Sequence, residues 1–191
     1  MDVNTVYQRT VQRWTDVVGA VRDDQWDVPT PCSEWSVRDL VNHVTSEDLW
    51  TVPLVEGSTI EQVGSRFDGD VLGDDPVAGS TDAARAATSA VAERLPQGGV
   101  VQLSFGETGV SEYVWQLATD HLVHSWDLSS ALGTDRHLDP ALVEAVAGWF
   151  ADREELYRAG GAVGARAVSR GGAQNDLLAS FGRDSEWSPG H

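Results

Sequence analysis

The sequence predicts a mainly helical protein, most simply a four-helix bundle carrying extra short helices and a short extended segment. Three observations carry this. Val3, Val6, Tyr7, Val11, Trp14, Val17, Val18 and Val21 recur at spacings of three and four, the mark of one face of an amphipathic helix. A second such stripe, Val37, Leu40, Val41 and Val44, follows Ser36, a residue suited to cap a helix. A third, Val114, Leu117, Ala118, Leu128 and Leu132, ends at Gly133, the usual helix-closing residue.

In order, the first helix is expected over residues 3–22, and "DDQWDVPTPCSEW" breaks it, since Pro29 and Pro31 exclude helix and push their preceding residues toward extended backbone. The second helix runs from Ser36 to about Trp50, with Asp39 near the positive end of its dipole. Residues 56–80, rich in Gly, Asp and Ser, read as a long loop, a length that often borders a site. A third, Ala-rich helix covers 80–95 and stops at Pro96 and the Gly98-Gly99 pair. "VVQLSF" is β-prone and precedes an expected turn at "GETG". A fourth helix spans 111–132. Asp139 and Pro140, as cap and first helical residue, open a fifth that reaches Gly160, and the tail adds a short sixth. All of this is expected to form a single helical domain over residues 1–191.

Thirty acidic side chains against 13 basic ones, all of them arginine, give a formal net charge of −17, which repels phosphate backbones and argues against nucleic acid and anionic membrane as partners. Cys32 is the single cysteine, so no intramolecular disulfide and no cysteine-based zinc cluster can form. No stretch approaches the ~20 apolar residues of a membrane-spanning helix and the N-terminus has no leader pattern, so a cytoplasmic protein is expected.

The chemistry concentrates in "DHLVHSWDL". Projected around its helix, His121 lies within the apolar stripe, while Asp120 and His124, four apart, stand one turn above each other on its flank, where side chains can converge on one ion. The plain alternative is a set of core histidines satisfied by buried partners. His43, on the edge of the second helix, is placed to face that flank. A His, His, carboxylate set leaves coordination positions open, as catalytic sites do. Glu47, one turn from His43, is a competing ligand but expected to be a solvated charge. Asp127 is expected either to orient a ligating histidine or to face solvent. His137 and His191 are expected at the surface, Cys32 as a packing residue, and Arg183 in a surface pair with Asp184 or Glu186.

Three stretches, "TPCSEWSVRDLVNHV", "DHLVHSWDLSSALG" and "LLASFGRDSEW", resemble in order and spacing the DinB-like metal-binding superfamily, in the branch related to the N-terminal domain of mycothiol-dependent maleylpyruvate isomerase. The resemblance implies a four-helix bundle holding a divalent ion through His43, Asp120 and His124. Relatives carry His or Glu where this chain has the shorter Asp120, which makes His121 the alternative third ligand. It also implies a metal that activates a low-molecular-weight thiol, mycothiol in this branch, toward an electrophilic small molecule, a thiol-transferase or isomerase chemistry. A divalent ion favours thiolate over thiol, so no protein cysteine is needed as nucleophile.

The metal is left open among zinc, nickel and iron. Trp126 and the long loop are expected to wall the substrate pocket. Two other readings stand beside the thiol enzyme: a ferrous facial triad for oxygen chemistry, and a non-catalytic metal-binding sensor or interaction module, with tryptophan-rich surfaces suited to a homodimer.

Overall fold

The computed structural model describes residues 1–189, and the His191 expectation lies outside the described residues. Helix α1, Val3–Val18, is capped by Asp2, whose carboxylate accepts the Thr5 amide. Helix α2, Val37–Val55, opens on a reciprocal cap in which the Ser36 hydroxyl accepts the Asp39 amide and the Asp39 carboxylate accepts the Ser36 amide. Helices α3, Ile60–Val63, and α4, Pro76–Arg94, follow. A two-stranded hairpin comes next, β1 Val100–Leu103 against antiparallel β2 Gly106–Gly109, with Leu103 opposite Gly106. Helix α5, Val110–Leu132, then runs the length of the molecule and ends at Gly133 in the left-handed conformation (φ 66°). Helices α6, Pro140–Ala151, α7, Glu154–Ala159, and α8, Ala173–Ser180, complete the described chain.

The bundle is a closed ring of packed helices: α1 lies along α5, α5 meets α2, α2 lies along α4 and α4 returns to α1. The apolar stripes of all four converge on a core that includes Val6, Tyr7, Trp14, Leu40, Val44, Ala84, Ala87, Leu122 and Leu128. Of the 23 residues of α5, 18 are buried. This explains why it carries the site: one flank packs on α1, another on α2, and a third is covered by the hairpin and α6.

Several boundaries depart from the expectations. Helix α1 stops at Val18 rather than residue 22, and α2 continues past Trp50 and through Pro53 because Leu54 and Val55 are buried. The 56–80 stretch is not one long loop: it contains α3, and α4 begins at Pro76 with Asp75 as its cap, the same Asp-Pro start that opens α6 at Asp139-Pro140. The hairpin turns at Ser104-Phe105, and "GETG" is the second strand. The expected fifth helix is broken in two after Ala151: the Arg153 guanidinium takes the Trp149 carbonyl at 2.7 Å and the Glu112 carboxylate at 2.8 Å, supplying the hydrogen bond that the interrupted helix gives up.

Candidate metal centre

Two local structures set the site. The segment before α2 folds back on itself as Thr30 and Trp35 pair through the backbone, and Val37 bonds back to Val28, with Glu34 at φ 70° in the tight turn between. This places Trp35 over His43, ring centroids 4.9 Å apart, and points Cys32 at α5. On α5 itself the four-residue spacing puts Asp120 beneath His124, with Asp120 Oδ1 3.2 Å from His124 Nε2.

His43 reaches across from α2, its Nε2 3.7 Å from Asp120 Oδ2 and its ring 5.3 Å from that of His124. The donor atoms of His43, Asp120 and His124 lie within 4.8 Å of one another. Asp120 Oδ2 is buried and has no hydrogen-bond partner, so an acceptor is left open between two imidazoles. The opposite nitrogen of His124, Nδ1, donates to Asp127 Oδ2 at 2.8 Å, so Nε2, which faces Asp120, is the nitrogen that would take an ion on giving up its proton. Donors of this kind fit a divalent cation: two imidazoles, one carboxylate, and a second carboxylate orienting one of the rings.

His121, the alternative ligand, points elsewhere. It is fully buried, its Nδ1 2.8 Å from the Leu117 carbonyl and its Nε2 3.3 Å from Asp48, with the rings of Tyr7 and Trp14 against it. Both of its nitrogens are occupied in the core. It therefore answers the plain alternative for this histidine.

Arg183 is not paired with Asp184 or Glu186; those two lie near Arg170. Instead its guanidinium reaches Asp127 through Nε (3.1 Å to Oδ1) and Nη2 (2.8 Å to Oδ2), a forked contact with a fully buried carboxylate. Cys32 also donates to Asp127, 3.3 Å away, and accepts from Arg183 Nη2 at 3.2 Å. Cys32, His124 and Asp127 form a second compact group, but its atoms are already tied to one another and to Arg183. Sequence reasoning missed this arrangement because Arg183 lies 56 residues from Asp127 along the chain.

The electrostatics follow from this geometry. Burial opposes the charged form of His124, but the Asp120 carboxylate, and hydrogen bonds to Asp120 and Asp127, outweigh it and hold its pKa well above the ordinary value. Burial dominates at His43 and lowers it. Burial and then the Asp120 and Asp48 charges raise Glu47 to about 7, so this partly buried side chain is not the solvated charge expected.

The three side chains sit at the inner end of a cavity of about 930 Å³. From there the cavity follows α5 past Val123, Thr119 and Gln116 to Glu112, and is closed by Trp149 and Phe150 of α6, Tyr157 of α7, and Phe181. Trp126 is not a wall: it is 1% exposed in the bundle core. The 56–80 stretch borders instead a shallow cleft on the far side of His43, where Phe67, Asp68 and Gly69 lie opposite Trp35.

Residues 7–129 match the family described as the mycothiol maleylpyruvate isomerase N-terminal domain. The chain belongs to this family. The matched range contains His43, Asp120, His124 and Asp127 of this mycothiol maleylpyruvate isomerase N-terminal domain fold, while α6, α7, α8 and Arg183 lie beyond it. An uncharacterised protein of Mycobacterium tuberculosis, found in two strains, is 33% identical over 146 residues, covering 74% of each chain. No solved structure matches the chain.

Proposed function

We propose that this protein is a metal-dependent enzyme of the thiol-transferase or isomerase type, in which His43, Asp120 and His124 hold a divalent ion and the large cavity receives a low-molecular-weight thiol and a small electrophile. The observation that carries the reading is the convergence of those three donors at the inner end of the cavity, with Asp120 Oδ2 buried and unpartnered. Membership of a mycothiol-related family supports a mycothiol-like thiol as the first substrate.

When bound, the ion would stabilise thiolate over thiol at neutral pH. The rest is done by the chain. Asp127 keeps the proton of His124 on Nδ1, and Arg183 keeps Asp127 ionised and in place. Trp35 packs on His43 and limits its rotation.

Elemental analysis of untagged protein, after reconstitution with zinc, nickel or anaerobic ferrous iron, tests the site. Wild type and His121→Ala are expected to hold about one equivalent of ion, and His43→Ala, Asp120→Ala and His124→Ala to lose it. Wild type that stays metal-free with all three ions would reject the reading. An ion that binds with no turnover of any thiol and electrophile pair would instead identify a non-catalytic metal-binding module.

A further inference from the structure

The cavity is polar at one end and apolar at the other. Its inner end carries the ion-holding residues and Arg183, a place for an anionic or electron-pair-donating head group. At the outer end the polar atoms are spent on one another. The Glu112 carboxylate accepts the Trp149 indole N–H at 3.1 Å, Arg153 Nε at 2.8 Å and the Tyr157 hydroxyl at 3.3 Å, and that hydroxyl accepts from the Gln116 amide at 2.7 Å. What this end mainly offers a ligand is carbon.

The rings of that end are held in place by their own packing. Trp149 stacks on Trp115 with planes 9° apart and the Arg153 guanidinium 5.2 Å from its ring, and Phe150 lies on Phe181 with centroids 4.3 Å apart. Two further apolar side chains line the same space, Phe105 at the hairpin turn (74% exposed) and Leu156 on α7 (72% exposed). Apolar side chains left open around one cavity are contact area for a ligand. From Asp120 back to Glu112 the wall runs about 12 Å at 1.5 Å per residue. A space of about 930 Å³ and that length suits a drug-sized ligand better than a compact one.

We propose that the outer end is a subsite for a ring or alkyl tail, so that the electrophile is elongated and amphipathic, with a polar reacting head at the inner end and an apolar tail against Trp149, Phe150, Tyr157 and Phe181. The term electrophile rests on the thiol chemistry proposed above; the tail subsite rests on the wall alone. A ring there would gain aromatic contacts and cover Phe105 and Leu156. The four aromatic residues all follow residue 129, so this selectivity is built by the part of the chain outside the family match.

The test compares phenylacetate with 5-phenylpentanoate, which share a carboxylate head and a phenyl ring and differ by three methylenes, by calorimetry on the full chain after dialysis against chelator and again after zinc loading. Full burial of one methylene is worth about four-fold in affinity, so the longer compound is expected to bind at least about ten-fold tighter in both preparations. Leu156→Ser, which removes apolar wall, and Val163→Trp, which fills the space beside it, are each expected to lower that ratio at least about three-fold. Val168→Ser, at a residue 78% exposed but outside the wall, is expected to leave it unchanged. A ratio near one in wild type, no binding of 5-phenylpentanoate at millimolar concentration, or a ratio that neither wall variant lowers would each overturn the proposal. Zinc content of the same samples reports on the ion independently. A tail gain in protein that takes up no zinc would sink the metal reading alone, and zinc uptake without a tail gain would sink the tail subsite alone.

Discussion

At one end of the cavity, His43, Asp120 and His124 are held by polar contacts that reach inward through Asp127 to Arg183; at the other, Trp149, Phe150 and Tyr157 are held by ring packing and by one carboxylate, Glu112. The inner end is built mainly from α2 and α5, within the range that matches the family. The outer end comes from α6 and α7, beyond that range. The contrast separates the part of the cavity that lies within the matched range from the part that lies beyond it. One residue joins the two: Arg183 follows α8, yet its guanidinium completes the inner end.

The largest effect is expected from cutting that link. Arg183→Ala takes the guanidinium from Asp127, 0% exposed, and leaves His124 as its remaining partner; a broken buried pair typically costs about 3–5 kcal/mol, an upper bound here. Urea unfolding at neutral pH should therefore show a midpoint well below wild type, whereas Arg170→Ala, whose partners are exposed, should fall by less than about 1 kcal/mol. Equal effects of the two would mean that Asp127 is not held as its contacts imply.

Next in size is Asp127→Asn. The change preserves shape but removes the negative charge and replaces one of the two acceptor oxygens that hold His124 and Arg183 with a donor, and loss of such an orienting carboxylate lowers metal affinity about 10–100-fold. Competition with a chromophoric chelator measures it. At the outer end, Tyr157→Phe removes the hydroxyl that Gln116 donates to at 2.7 Å and should leave metal affinity unchanged. If both variants weaken the ion alike, the two ends are not independent.

The inner end was the more legible in the sequence because its residues repeat the period of a helix: Asp120 and His124 at four apart needed only the geometry of α5, and Ser36 announced where α2 begins. His43 facing Asp120 followed from the simplest packing of two helices. The outer end left no such trace. Glu112, Trp149, Arg153 and Tyr157 form one hydrogen-bonded group; the last three recur every four residues, as one continuous helix would place them, but their partner Glu112 lies 37 residues before Trp149, and the break after Ala151 depends on that side-chain contact with α5 rather than on a Gly or Pro. Trp126 was misjudged for a related reason. An aromatic next to ligand residues on a helix points about 100° away with each step along the chain, so Trp126, two positions past His124, turns into the core.

The smallest expected effect concerns Glu47, which sits near both Asp120 and the core pair of Asp48 and His121. Its pKa is raised from 4.5 to about 7, first by burial and then by the charges of Asp120 and Asp48. A carboxyl raised on folding contributes stability that is fully present below its unfolded value near 4.5, and that contribution is lost as pH rises through about 7. In chelator, Glu47→Gln should therefore be close to neutral at pH 4 and stabilising by about 1–2 kcal/mol at pH 8, the shift being discounted for the partial exposure of the side chain. An ion between His43 and Asp120 would offset the repulsion that raises Glu47, so the same substitution in zinc-loaded protein should gain less at pH 8 than in chelator. A gain that is independent of pH would assign the effect to packing. A gain that is pH-dependent yet unaltered by zinc would place the ion too far from Glu47 to be held by His43 and Asp120, and so would bear directly on which of the two ends of the cavity binds it.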